Sequence, residues 1–163
     1  MEIALVLLGA LAGGVITWVL SSRSRDVERR DQTRGFIDAL IAEVSVAGEL
    51  ADVDLDINNL DPKRMDIIKE RCKRLGNARS VFDASSEKLG LLPSPLPEQI
   101  VRYYGRLTVR ADKLEGIVSE TGFFSTMNGR ERLPHRKEDY EVARKEIVLE
   151  ADILKEDLLK IRP

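Results

Sequence analysis

The sequence predicts an all-α protein: a single N-terminal transmembrane helix, then an antiparallel helical bundle of about four helices. Three observations lead there. Residues 3–20 contain no charged residue, and Thr17 is the only polar side chain among them. Beyond them, apolar residues recur at steps of three and four through several segments, which is the period of a helix with one buried face. Clusters of Gly and Pro separate those segments and mark their ends.

Overall composition conceals this division. The chain has 163 residues, 43% hydrophobic and 33% charged, with a formal net charge of −2. Taken as a mean, that describes an ordinary soluble domain. Divided, it gives residues 1–20 as an anchor, 21–34 as an arginine-rich juxtamembrane segment and 35–163 as a cytoplasmic helical domain.

Residues 3–20 read IALVLLGALAGGVITWVL. Eighteen helical residues span about 27 Å, close to the roughly 30 Å hydrocarbon core of a bilayer. Trp18 sits near one end, where an interfacial aromatic is favoured. A cleaved signal peptide would want a basic start, a shorter apolar run and small residues at a cleavage site. Here Met1-Glu2 precedes the run and Ser21-Ser22-Arg23 follows it, so the segment reads as retained. Gly9 and Gly13, with Ala10 and Gly14 one step round, form a stripe of small residues. Such a stripe lets a second transmembrane helix approach closely, so a homodimer through this helix is one expected contact.

Arg23, Arg25, Arg29, Arg30 and Arg34 all follow the span. Basic residues are retained on the cytoplasmic side, which puts the protein in the cell (inner or plasma) membrane with its N-terminus outside and the C-terminal domain in the cytoplasm. Three acids, Asp26, Glu28 and Asp31, lie among these arginines. Strong recognition of anionic lipid needs less compensation than that.

From Gly35, Ile37, Leu40, Ile41, Val44, Ala47 and Ala51 trace one helical stripe, widened by Phe36 and Leu50. It fades at residues 52–56. There Asp52, Asp54 and Asp56 match the first three acidic positions of an EF-hand loop, but Ile57 and Lys63 stand where Gly and Glu are required. Asp61-Pro62 restarts a helix, with Asp61 as N-cap and Pro62 in the first turn. Met65, Ile68, Cys72 and Leu75 form its buried face. After Gly76 the pattern continues through Ala78, Val81, Phe82 and Leu89 to Gly90. Three prolines at 93, 95 and 97 then form a stiff connection.

The next helix carries Leu96, Ile100, Tyr104, Leu107, Ala111, Leu114 and Val118, close to a heptad seam, with Gly122 as its expected terminator. Residues 122–134 read as a connection in which Phe123, Phe124 and Met127 tuck onto the domain. The last helix runs from about His135 to Ile161. Its seam is Tyr140, Ala143, Ile147, Ala151, Leu154, Leu158 and Ile161. Two seams of this length bury each other well as an antiparallel pair.

Charge is blocked along the chain. Residues 35–62 hold seven acids and no Lys or Arg; residues 63–79 hold seven basic residues and two acids. Complementarity between these neighbours is the expected role. No aromatic interleaves the basic block and an acidic partner adjoins it, so nucleic acid is not an expected partner.

Several chemistries are excluded or disfavoured. A single cysteine, Cys72, excludes an intramolecular disulfide, and a single histidine, His135, excludes a His-rich metal site within one chain. His135 lies in a polar, proline-containing stretch and reads as a solvated side chain. No phosphate loop, nucleophile elbow, metalloprotease motif or dinucleotide fingerprint occurs. No Glu-x-x-His pair supports a carboxylate metal centre in a bundle. No catalytic, cofactor-binding or metal residue is therefore assigned. The expected function is a membrane-anchored interaction or scaffold protein with the bilayer and an unidentified protein as partners. The alternative is a membrane-tethered sensor whose bundle binds a small ligand.

Overall fold

A computed structural model describes the backbone of residues 2–55, 61–126 and 133–163, and the side chains of residues 21–55, 61, 63–121 and 135–163. Its described residues form helices and no strand: α1 (Glu2–Ala51), α2 (Pro62–Gly76), α3 (Ser80–Ser85), a 3-10 turn (Ser86–Leu91), α4 (Leu96–Thr126) and α5 (Leu133–Ile161). Four long helices make the bundle. Around it the order is α1, α5, α4, α2, with α2 packed chiefly on α4.

Cross-helix pairs fix the directions. Asp38 meets Arg162 and Asp52 meets Arg144, so α1 and α5 are antiparallel. Arg106 and Arg110 meet Glu150, while Glu120 meets Arg136, so α4 and α5 are antiparallel too. Helices come close where a small residue lies at the crossing: a Cβ placed on Gly48 would lie 3.6 Å from that of Ala151, and one on Gly76 would lie 3.6 Å from that of Ala111.

Every expected seam residue of α4, from Leu96 to Val118, is buried, as is the α5 seam from Tyr140 to Leu158. Ile161 is partly buried at the end. Leu55 continues the core past the end of α1. Asp61 caps α2, accepting from the Lys63 amide at 3.3 Å, with Pro62 in the first turn.

Three details differ from the sequence expectation. First, the stripe that starts at Gly35 belongs to a longer helix. α1 is one unbroken helix from Glu2 to Ala51, so the divisions at residues 20 and 34 are changes of composition without a break in the backbone. Second, Gly122 does not end α4, which continues to Thr126. A lone Gly costs a helix only about 1 kcal/mol, and the long packed face before it outweighs that. Third, the acidic block does not pair with the basic block of α2: Asp38 on α1 and Asp52 just past its end pair with Arg162 and Arg144 of the α5 segment, while Glu43 turns to α3 and α4. The basic residues of α2 point mostly outward, Lys63, Arg71, Lys73 and Arg74 being exposed. The angular position of each charge on its helix decides this, and block totals carry no angular information.

Candidate interaction surface and its buried support

Among the described residues the core holds one carboxylate, on a stripe otherwise apolar in sequence. Glu43 lies on the inner face of α1 and is 8% exposed. One oxygen accepts from the Val81 amide at 2.7 Å and the Ser80 hydroxyl at 3.2 Å. The other accepts from the Phe82 amide at 3.1 Å and the Tyr104 hydroxyl at 2.7 Å. The amides of a first helical turn have no partner within the helix, and Arg79 gives α3 no side-chain cap. Glu43 supplies that cap from a different helix, 38 residues earlier in the chain.

Aromatic packing encloses this centre. Phe82 stacks on Tyr104 with ring centroids 4.5 Å apart, and Tyr103 meets Tyr104 edge-on at 5.1 Å. The Arg79 guanidinium lies 5.7 Å from the Phe82 ring and grips Asp83. Burial pushes the Tyr104 hydroxyl well above its ordinary value, and its bond to Glu43 adds to that. With four donors on two oxygens, the carboxylate is fully engaged. Its chemistry is positional: it fixes α1, α3 and α4 against one another.

Other tyrosines also tie elements together or lie beside clefts. Tyr140 donates to the Val53 carbonyl at 3.0 Å, holding α5 to the chain that leaves α1. The Tyr103 hydroxyl is buried without a partner among the described residues. It lines a cleft of about 260 Å³ between α4 and α5, with Arg102, Arg106, Ile153 and Leu154. A second cleft, of about 280 Å³, lies between α1 and α5 over Gly48. Both are open to solvent.

Cys72 is buried, and burial together with the nearby Glu115 charge pushes its thiol up to about 11. It is a small core residue, as its place in the α2 stripe suggested. His135 is exposed in the first turn of α5. Asp52 engages Arg144, and Asp56 lies outside the described residues. Among the described residues no group of three or more His, Cys, Asp or Glu is placed to hold a metal ion.

Arg23, Arg25, Arg29, Arg30 and Arg34 are exposed along the part of α1 that precedes the first core residue, Phe36. For Gly9, Ala10, Gly13 and Gly14 only the backbone is described, and the side chains of Phe123, Phe124 and Met127 lie outside the described residues. Among the described residues no helix is long and apolar enough to cross a membrane; the side chains of residues 3–20 are not among them.

The outer surface of α5 is the feature that bears most directly on partners. Val142, Leu149 and Ile153 are 51%, 61% and 52% exposed, at steps of seven and four. That is a second seam on a helix whose first seam is already buried in the core. Solitary exposed apolar residues are ordinary on protein surfaces; a helical row of three is the pattern of a contact face. The charged residues from Lys137 and Glu138 onward predict a mixed-charge outer face for this helix; the apolar row corrects that, and the burial of the first seam shows it to be outward.

Comparison of the chain with protein-family models, with curated proteins and with solved structures finds no match.

Proposed function

We propose that this protein is a single-pass membrane-anchored interaction module, without catalytic activity of its own, whose bundle presents the outer seam of α5 to a protein partner. The observation that carries this reading is that seam: Val142, Leu149 and Ile153 exposed beside a well-filled core. The clefts beside Tyr103 and over Gly48 are open to solvent, which favours interaction over the small-ligand sensor.

The anchored reading rests on residues 3–20 and the arginines after them. The continuous α1 gives it a mechanical form. Phe36 lies sixteen positions after Leu20, so a helical stalk of about 24 Å would stand between bilayer and bundle. Charge at the headgroups is screened over about 8 Å. The basic face of α2 would therefore stand beyond it, as would Arg34 near the bundle, while Arg23 and Arg25 at the foot of the stalk would meet it. The reading places the bundle in the cytoplasm and the N-terminus outside. Gly9 and Gly13 would allow two anchors to pack.

Carbonate washing of membranes, with an enzymatic reporter fused after Pro163, tests this. The full chain should stay in the membrane pellet with a reporter active in the cytoplasm. Release by carbonate would remove the anchor, and a reporter active only outside would reverse the orientation.

A further inference from the structure

We propose that the face shared by α4 and α5 docks a second copy of this chain, across a two-fold axis parallel to the helices. This deepens the anchored interaction reading above and rests on it.

The two edges of that face are predominantly opposite in charge, with Glu98 paired to Arg102 on α4 and Lys160 paired to Asp157 on α5 as the exceptions. Along α4 run Arg102, Arg106, Val109 and Lys113, at steps of four, three and four and all exposed. Along α5 run Glu146, Glu150 and Asp157 beside the apolar row of Val142, Leu149 and Ile153. Within one chain, Arg106 already meets Glu150. That pair also fixes the register, bringing Leu107 level with Leu149 and Tyr103 level with Ile153.

A two-fold axis along the helices lays α4 of one copy over α5 of the other and keeps every residue at its level. Basic edge then meets acidic edge twice. Leu149 of the second copy lands between Arg106 and Val109, beside Gly105, where a Cβ would meet no atom within 4 Å. Val109, at 69% exposed, gains an apolar neighbour. Ile153 leans over the cleft and lies closest to the axis, facing its own copy. A two-fold axis across the helices would lay α4 over α4, cation against cation.

Membrane geometry selects the same axis. An axis along the helices sends both α1 stalks the same way, as two chains anchored in one bilayer require. The alternative sends them in opposite directions. The area is adequate: a face about 40 Å long and two helices wide offers roughly 800 Å² per copy, the standard size of a specific interface.

Cysteine crosslinking of the full chain in membranes tests the proposal. Ile153→Cys places a thiol beside the axis at a solvent-exposed position, so folding is not at risk. Mild oxidation should move most of the chain to twice its 18.3 kDa mass. The wild type, whose thiol is buried, and Ile67→Cys on the exposed face of α2 should both remain single chains. Adding Arg102→Glu to Ile153→Cys should lower the crosslinked fraction roughly five-fold, by setting acid against acid. An Ile153→Cys chain that stays monomeric under oxidation overturns the proposal; so does equal crosslinking from Ile67→Cys. Carbonate washing of the same sample separates the two readings. A membrane-bound chain without the crosslink loses the dimer and keeps the anchor, while a crosslinked chain released by carbonate keeps the dimer and loses the anchor.

Discussion

Glu43 accepts a 2.7 Å hydrogen bond from the Tyr104 hydroxyl while its two oxygens also hold the amides of Val81 and Phe82. A charge on α1 thus fastens α4 and the first turn of α3. Glu43→Gln keeps the shape but turns one acceptor into a donor facing donors. It should cost about 2 kcal/mol, within the range for hydrogen bonds to charged groups. Tyr104→Phe leaves the amide contacts and should cost about 1 kcal/mol. Urea unfolding of the full chain in detergent, followed by helical circular dichroism, measures both. A loss for Glu43→Gln no larger than for an exposed Glu98→Gln contradicts the assignment.

Burial raises the Cys72 thiol from 9.0 to about 11 and also raises Tyr103, Tyr104 and Tyr140. All four are neutral when protonated, so the unfolded chain loses these protons first. Their contribution is complete below the ordinary value and disappears as pH rises toward the folded value. Stability should be flat from pH 7 to 9, then fall by about 2 kcal/mol through the thiol between pH 9 and 11. The tyrosines add to the loss above pH 10. Cys72→Ala should flatten the first part of that fall; an unchanged slope would count against a buried thiol.

At Gly48 there is room for a methyl group, since a Cβ would lie 3.6 Å from that of Ala151, an ordinary van der Waals contact. Gly48→Ala should stabilise the bundle by about 0.5–1 kcal/mol through lower unfolded-chain entropy. Gly48→Leu would drive α1 from α5 and should destabilise by about 1–3 kcal/mol. Thermal melts of the two variants should move in opposite directions.

Leu158 and Leu149 lie on the same helix and differ in role. Leu158 is fully buried and Leu149 is 61% exposed. Leu158→Ala should cost about 2–5 kcal/mol, as core truncations do. Leu149→Ala should change monomer stability by less than about 0.5 kcal/mol and weaken association instead. Denaturation and crosslinking on the same two variants separate these effects.

The bundle was legible because its helices keep a strict period. The seams of α4 and α5 were readable residue by residue, and so were the Asp61 cap and the apolar character of Cys72. Glu43 was not, since it sits in a stripe otherwise made of Ile, Leu, Val and Ala, and the amides that justify it come from a helix 38 residues later. No local pattern encodes that pairing. The direction of Asp38 and Asp52 toward α5 was hidden for a related reason: a charge count has no angle, and the order of helices around the bundle decides which faces meet. The outer seam of α5 became meaningful only once the inner one was known to be filled.

Photocrosslinking from position 149 tests most directly the claim that the outer seam of α5 is a contact surface. A photoreactive amino acid replaces Leu149 in one sample and the equally exposed Ile67 in another, both in the full chain in native membranes. A discrete crosslinked protein band is expected from position 149 and none from position 67. Bands of equal strength from both positions, or none from position 149, would contradict it.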